Sequence, residues 1–326
     1  MSRPVQEEAF PVHPTGRTDR KEPVDYGLQD RQERQGSLER QARQERQARQ
    51  DQGWRAGEKR AAGLGQRVAL RRLASAYPVT ALFAVWYSVG FLLMVFAEVP
   101  KPLEFSNGVF LVLYALCLCE LAATGTGAAR KHQDEALSPP AGWSRLALSA
   151  AGIAAGTFAV EYAGVHTGFP FGSYRYENTL GSLLGGVPWT MGLAWVGVIL
   201  NGALLAGSQG RLVRALETGA WVVLLDLVLD PVAEARGFWH WQDGGAYYGI
   251  PAANFAGWFV VGALLSLLLP SGKVPASVRF AALRVMQAML LLFGLLAAKA
   301  GLMPVFLLSL AVMAAAEGRV RFDSGR

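Results

Sequence analysis

Cysteine and histidine are scarce in this 326-residue chain, with two of the first and four of the second. Cys117 and Cys119 stand two apart in one apolar run and so fall on different faces of a helix, which excludes a mutual disulfide or a metal pair. They read as small packing residues. His166 has no companions for a metal site and reads as a loop hydrogen-bonding residue. No GxxxxGK[ST], HExxH, GxSxG or dinucleotide-binding glycine pattern occurs, so the usual nucleotide, zinc-protease and serine-hydrolase chemistries have no anchor. Charge is also scarce once the N-terminus is set aside. Residues 1–72 hold 16 Lys/Arg and 11 Asp/Glu, whereas residues 73–326 hold the other 15 and 14. The basic balance therefore belongs to a tail. The body, at net +1, lacks the clustered basic surface of a nucleic-acid binder, and no nucleic-acid partner is expected.

Within residues 1–72, RQERQGSLERQARQERQARQDQ at 31–52 has only Leu38, Ala42 and Ala48 as apolar residues. Such a Gln/Arg/Glu tract cannot bury a core of its own and predicts a disordered, solvated cytoplasmic arm. The arm also lacks the apolar segment of a cleavable signal peptide, so it is expected to stay on the mature protein.

Residues 73–326 read as the opposite, a transmembrane helical domain. Apolar runs occupy 79–97, 107–129, 145–163, 187–206, 212–230, 251–269, 279–298 and 302–317, and a span needs roughly 20 residues. The last run is short and ends at Glu317, so the expected fold is an all-α, polytopic membrane bundle of eight helices, or seven if that run does not cross. Lys and Arg concentrate in alternate connections: Arg130, Lys131 and Arg145 in the second, Arg211 and Arg214 in the fourth, Lys273 and Arg279 in the sixth, and Arg319, Arg321 and Arg326 at the end. Cytoplasmic loops carry the excess of positive charge, so both termini are expected on the cytoplasmic side of the plasma membrane.

Three polar clusters interrupt the apolar runs. Glu161 ends the third run, and His166, Tyr174, Arg175, Tyr176 and Glu177 follow in a Gly/Pro-rich connection of the length that usually carries function. In LLDLVLDPVAEARGFWHW, Asp226 and Asp230 are four apart and share one helix face, after which Pro231 is expected to stop the helix. In YYGIPAANFAGW, Tyr247, Tyr248, Asn254 and Trp258 sit at the mouth of the sixth run. All three clusters open on the face opposite the cytoplasm. Trp143, Trp189 and Trp221 read as an interfacial belt, and Arg175 with Glu177 as a solvated pair. The aspartates resist so plain a reading, because a carboxylate near a helix centre costs ~2.5–3.5 kcal/mol to insert.

These motifs carry a resemblance. E-x-x-G-V-x-T-G-x-P-F-G-x-Y-x-Y, from Glu161 to Tyr176, is followed by D-L-x-L-D-P from Asp226 to Pro231, by G-x-W-x-W at Gly237, Trp239 and Trp241, and by G-I-P-x-x-N-F-x-G-W from Gly249 to Trp258. In order and spacing over roughly residues 145–270 the sequence resembles the carotenoid 1′,2′-hydratases of bacteria and archaea. The resemblance implies a carotenoid substrate such as γ-carotene or lycopene, and hydration of its terminal isopropylidene double bond to a tertiary alcohol with no redox cofactor. It also implies other membrane enzymes of carotenoid synthesis as neighbours. It does not reach the arm.

The residue chemistry fits independently. Alkene hydration needs an acid, a wall that tolerates a cation, and water. Two carboxylates in one low-dielectric site cannot both ionise easily, so the pair Asp226 and Asp230 keeps a proton. Tyr174, Tyr176, Trp239 and Trp241 can stabilise a cation through their ring faces without trapping it as an ester, and Phe171, Arg175, Asn254 and Trp258 complete the expected substrate site. Glu161 is expected to orient or deprotonate the water; the reverse assignment of acid and base fits the sequence nearly as well. No metal is expected. Three other classes share some of these features: a carotenoid cyclase that quenches the same cation internally, a prenyltransferase reading DLVLD as a magnesium-diphosphate motif, and a proton-coupled transporter.

Overall fold

The computed structural model describes residues 34–41, 43, 44, 46, 47 and 54 of the arm, then residues 75–97, 99–130, 140–207, 210–270 and 272–324. The chain divides into two units, Met1–Ala69 and Leu70–Arg326. In the first, the described residues 34–41 are helical, with Ser37 Oγ donating to the Arg34 carbonyl at 2.8 Å; most of the expected disordered arm lies outside the described residues.

The second unit is helical, and its long helices fall where the apolar runs lie. They are α1 (Pro78–Phe96), α2 (Phe105–Arg130), α3 (Pro140–Thr167), α4 (Met191–Leu205), α5 (Arg211–Ala235), α6 (Ala252–Ser266), α7 (Ala276–Lys299) and α8 (Met303–Ser324). Five are long and apolar enough to cross a membrane: α1, α2 over Phe105–Thr124, α3 over Trp143–Thr167, α7, and α8 over Met303–Asp323. α4 and α6, at 15 residues each, fall short of that length. α4 starts late because Val187–Pro188 pairs in a small hairpin instead of joining the helix.

Glu317 does not end α8. Arg284 and Arg321 bond its carboxylate at 2.8 and 2.6 Å, so the helix carries on past a neutralised charge to Ser324. Pro231 likewise lies inside α5. A proline has no N–H for the carbonyl four residues back, here Leu227, and a mid-helix proline normally breaks or kinks the helix. The Tyr247 hydroxyl donates to the Leu227 carbonyl at 2.8 Å and replaces the missing bond, so the helix continues to Ala235.

α4 is the central helix and is buried along nearly its whole length. It is apolar all round, as a helix enclosed by others must be, and the bare Gly197 lets the Tyr114 ring of α2 lie where a side chain would otherwise stand. α1 is peripheral, with Phe83 its buried residue. Its N-terminal N–H groups find a distant cap: Glu120 of α2 accepts from Val79 N at 3.1 Å, from Thr80 N at 2.7 Å and from Thr80 Oγ1 at 2.7 Å.

The two ends of the bundle differ in chemistry. At one end Asn107 donates to the Thr179 carbonyl and Lys299 to the Met94 and Ala97 carbonyls, which ties the α1–α2, α3–α4 and α7 connections together. At the other end Arg211, Arg214 and Arg279 bond the carbonyls of Leu267, Pro270 and Leu205, and Arg279 and Arg319 pair with Asp323 and Glu217.

Candidate active site

The long connection after α3, read from the sequence as a loop, carries strands of two ladders. β1 (Tyr174–Tyr176) pairs antiparallel with β4 (Trp239–Trp241), and β2 (Leu183–Leu184) pairs with β3 (Val187–Pro188). In a strand successive side chains point to opposite faces. The register Tyr174↔Trp241, Arg175↔His240, Tyr176↔Trp239 therefore gathers four aromatic rings on the inner face. Tyr174 and Trp241 are 5.1 Å apart between ring centres, and Tyr176 and Trp239 meet edge to face at 5.8 Å. The outer face keeps Arg175, paired with Glu177 at 3.7 Å and largely exposed. Arg175 is thus kept from the interior by its place in the alternation, and it is not among the residues lining the site.

Glu161 does not end its helix. α3 runs six residues further, to Thr167, so the carboxylate is carried inside the bundle, 2 % exposed. Both its oxygens are occupied: Oε2 accepts from Tyr174 at 2.5 Å and Tyr176 at 2.8 Å, and Oε1 from Trp195 Nε1 at 2.7 Å. Burial, then the nearby Glu161 charge, pushes the Tyr174 and Tyr176 phenols well above their usual range, so both remain proton donors. Trp195 is the residue sequence reasoning missed. Its signal was position: a tryptophan in the middle of the 187–206 run, where belt tryptophans sit at the ends.

Opposite lies the aspartate pair. Asp230 Oδ1 accepts from Trp239 Nε1 at 2.7 Å and Trp241 Nε1 at 3.2 Å. The amide Nδ2 of Asn254 then bridges the pair, donating to Asp230 Oδ2 at 2.7 Å and to Asp226 Oδ2 at 2.9 Å. Asp226 Oδ1 is buried with no hydrogen-bond partner among the described residues. The sequence motifs thus meet through their polar atoms: the Trp side chains of the G-x-W-x-W motif and the Asn of the G-I-P-x-x-N-F-x-G-W motif all converge on the aspartates.

A cavity of about 250 Å³ separates these groups. It is lined by Glu161, Phe171, Tyr174, Tyr176, Asp230, Trp239, Trp241, Asn254 and Trp258. Asp226 is not in the lining; it stands behind Asp230. Trp258 stacks on Trp195 at 4.1 Å, and Phe171 on Trp195 at 6.2 Å. His166 stays outside, stacked on Tyr162 with Nδ1 2.8 Å from the Tyr162 carbonyl. Of the expected belt, Trp143 and Trp189 are exposed, but Trp221 is buried in the core, because it packs against the bare Gly202 of α4.

The model for the family described as carotenoid biosynthesis proteins matches residues 108–316, which includes every helix contributing to this cavity. The chain belongs to that family. It is also 37 % identical over 142 residues to the bisanhydrobacterioruberin hydratase of Haloarcula japonica, a match covering 41 % of this chain and 48 % of that protein. The chain thus spans about half the length of this curated relative. No solved structure matches it. The cavity lies within the matched region and is where the three polar clusters meet.

Proposed function

We propose that the protein is a carotenoid hydratase that adds water across the terminal C1′=C2′ double bond of an acyclic carotenoid end. One observation carries this reading: Glu161 and Asp230 face the same aromatic-walled cavity, each fixed by its own set of hydrogen-bond donors. A proton from the Asp226–Asp230 pair goes to C2′, and the π electrons become the new C–H bond. The positive charge develops on the tertiary C1′, where the faces of Tyr174, Tyr176, Trp239 and Trp241 stabilise it. Water then bonds to C1′ and releases a proton to Glu161, which gives it up through water to reprotonate the aspartate pair. Asp230, which lines the cavity, is the group in contact with the alkene; Asp226 stands behind it and is tied to it by the Asn254 amide, which donates to both carboxylates.

The donors around Glu161 suit the second step. Three hydrogen bonds hold its carboxyl group in place and occupy the lone pairs with which it would otherwise capture the cation. The relative's name, a hydratase, agrees with this chemistry. In the membrane the reading places eight helices across the bilayer of the plasma membrane, with the arginine-rich end and both termini cytoplasmic. Expression in a host that makes lycopene or γ-carotene, followed by pigment mass, tests it: hydration adds one water per reacted end. A cyclase would change chromatographic behaviour at unchanged mass, and that result would overturn the proposal.

A further inference from the structure

Next to the carboxylate cavity lies a larger one of about 970 Å³, walled by α1, α2, α4 and α7 with Leu229 and Phe238 behind them. Its lining is almost wholly apolar, including Trp86, Phe110, Met191, Met289 and Phe293. Trp195, Trp239 and Trp258 line both cavities, so the two meet at these three rings. Along α1 the wall runs from Trp86 to Met94, about 12 Å at the rise of an α-helix. That is room for one end of an extended chain and not for its whole length.

α1 forms one wall of this cavity. Trp86, Gly90, Leu93 and Met94 face inward, while Leu82, Val85, Val89, Leu92 and Phe96 are exposed and apolar on the other side. Gly90 stands out on this helix. A Cβ added there would meet nothing within 4 Å, so no neighbour demands a glycine, and glycine weakens a helix interior relative to alanine. What the missing side chain provides is empty space in the cavity. α1 is held to α7 at two points, through Tyr87 donating to the Ala288 carbonyl and Lys299 donating to the Met94 and Ala97 carbonyls.

We infer that the large cavity binds the polyene chain of the substrate, entered from the lipid phase past α1, that Gly90 sets the room available to it, and that Trp195, Trp239 and Trp258 guide the chain's end to Asp230 and Glu161. The inference rests on the hydratase reading for its choice of ligand. The rest of the polyene remains in the bilayer, so the ends of a symmetric substrate react one at a time.

The test uses the full chain expressed in membranes of a lycopene-producing host, with two readouts: lycopene retained on the purified protein by visible absorption, and pigment mass. Gly90→Trp is expected to lower retained lycopene at least tenfold and to remove hydrated product, with Gly90→Ala close to wild type and Gly90→Leu between them. Val89→Trp, on the lipid-facing side of the same helix, keeps both readouts and controls for insertion. Asp230→Asn keeps lycopene and loses product. If Gly90→Trp and Gly90→Leu both retain lycopene and hydrate it like the wild type, the inference is wrong; it is equally wrong if the wild-type protein carries only acyl lipid. Lycopene retained by the wild type, lost from Gly90→Trp and nowhere hydrated would support the cavity and remove the hydratase reading instead.

Discussion

Asp226 and Asp230 share one amide donor, Asn254 Nδ2, and this sharing governs what substitution does at each position. Asp230→Asn removes the proton donor that lines the cavity, and Asp226→Asn breaks up the carboxylate pair that holds the proton; each is expected to abolish hydrated product while the protein still inserts, checked by pigment mass and membrane fractionation. A fully active double variant would remove the pair from the mechanism and leave Glu161 as the acid. Trp195→Phe takes away one of the three donors to Glu161. A hydrogen bond to a charged group is worth ~1.5–3 kcal/mol, so if that bond acts in the transition state the rate should fall ~10- to 100-fold. Initial rates of product formation in membranes measure this, and an unchanged rate would show that the two phenols suffice. The phenols also define a pH expectation. Because burial and the Glu161 charge raise both above the usual phenol value of about 10, deprotonation is disfavoured and the donors persist as pH rises. Product formation should therefore show no loss with a midpoint near 10; such a midpoint would place one phenol in contact with water.

At the scale of the elements, α5 depends on a residue outside itself. Tyr247 supplies the bond to Leu227 that Pro231 cannot, and Leu227 lies between the two aspartates in the chain. Tyr247→Phe leaves a carbonyl unsatisfied, a loss of ~1–3 kcal/mol, and is expected to lower both thermal stability in detergent and product yield, with Pro231→Ala restoring the stability by returning an N–H. No rescue by Pro231→Ala would mean that Tyr247 acts elsewhere. The β1–β4 ladder is similarly dependent on its seat. A Cβ on Gly164 would stand 2.8 Å from the Tyr174 hydroxyl, the atom that bonds Glu161 at 2.5 Å. Gly164→Ala is accordingly expected to insert normally and to lose most activity, through displacement of the phenol rather than unfolding; wild-type rates would show that the ring can shift without cost.

For the molecule as a whole, the decisive asymmetry is between its ends. The site, the ladders and the odd-numbered connections lie at one end, and the arginine network at the other. Reporters fused within 170–180 or 240–246 should therefore give the same, non-cytoplasmic signal, and one at 208–212 the opposite. A cytoplasmic signal from the first two would turn the site to the other face. The matched family region begins at residue 108, and residues 1–69 form a unit of their own with little apolar content. Deleting residues 1–69 is expected to leave hydration largely intact, and an inserted but inactive truncation would overturn that.

Much of this was legible in the chain itself. Helix positions follow from the apolar runs, because a segment in lipid must satisfy its backbone internally and so announces itself by composition alone. The aspartate pair was visible for the same reason: a carboxylate in an apolar run has a cost that only a role explains. The tyrosines and tryptophans of the site were legible as residue types, but that they share the inner face of one ladder was not, because the connection read as a loop. Partnership was not visible. That Asn254 bridges the aspartates, that Trp195 closes the ring of donors on Glu161, that Tyr247 carries α5 through Pro231, and that Arg175 faces outward all depend on which element lies against which. Local sequence fixes whether a segment is helix or strand and which residues share a side of it. A hydrogen bond between residues 24 or 34 apart forms only where packing brings two elements within about 3 Å, and that distance is a property of the assembled bundle.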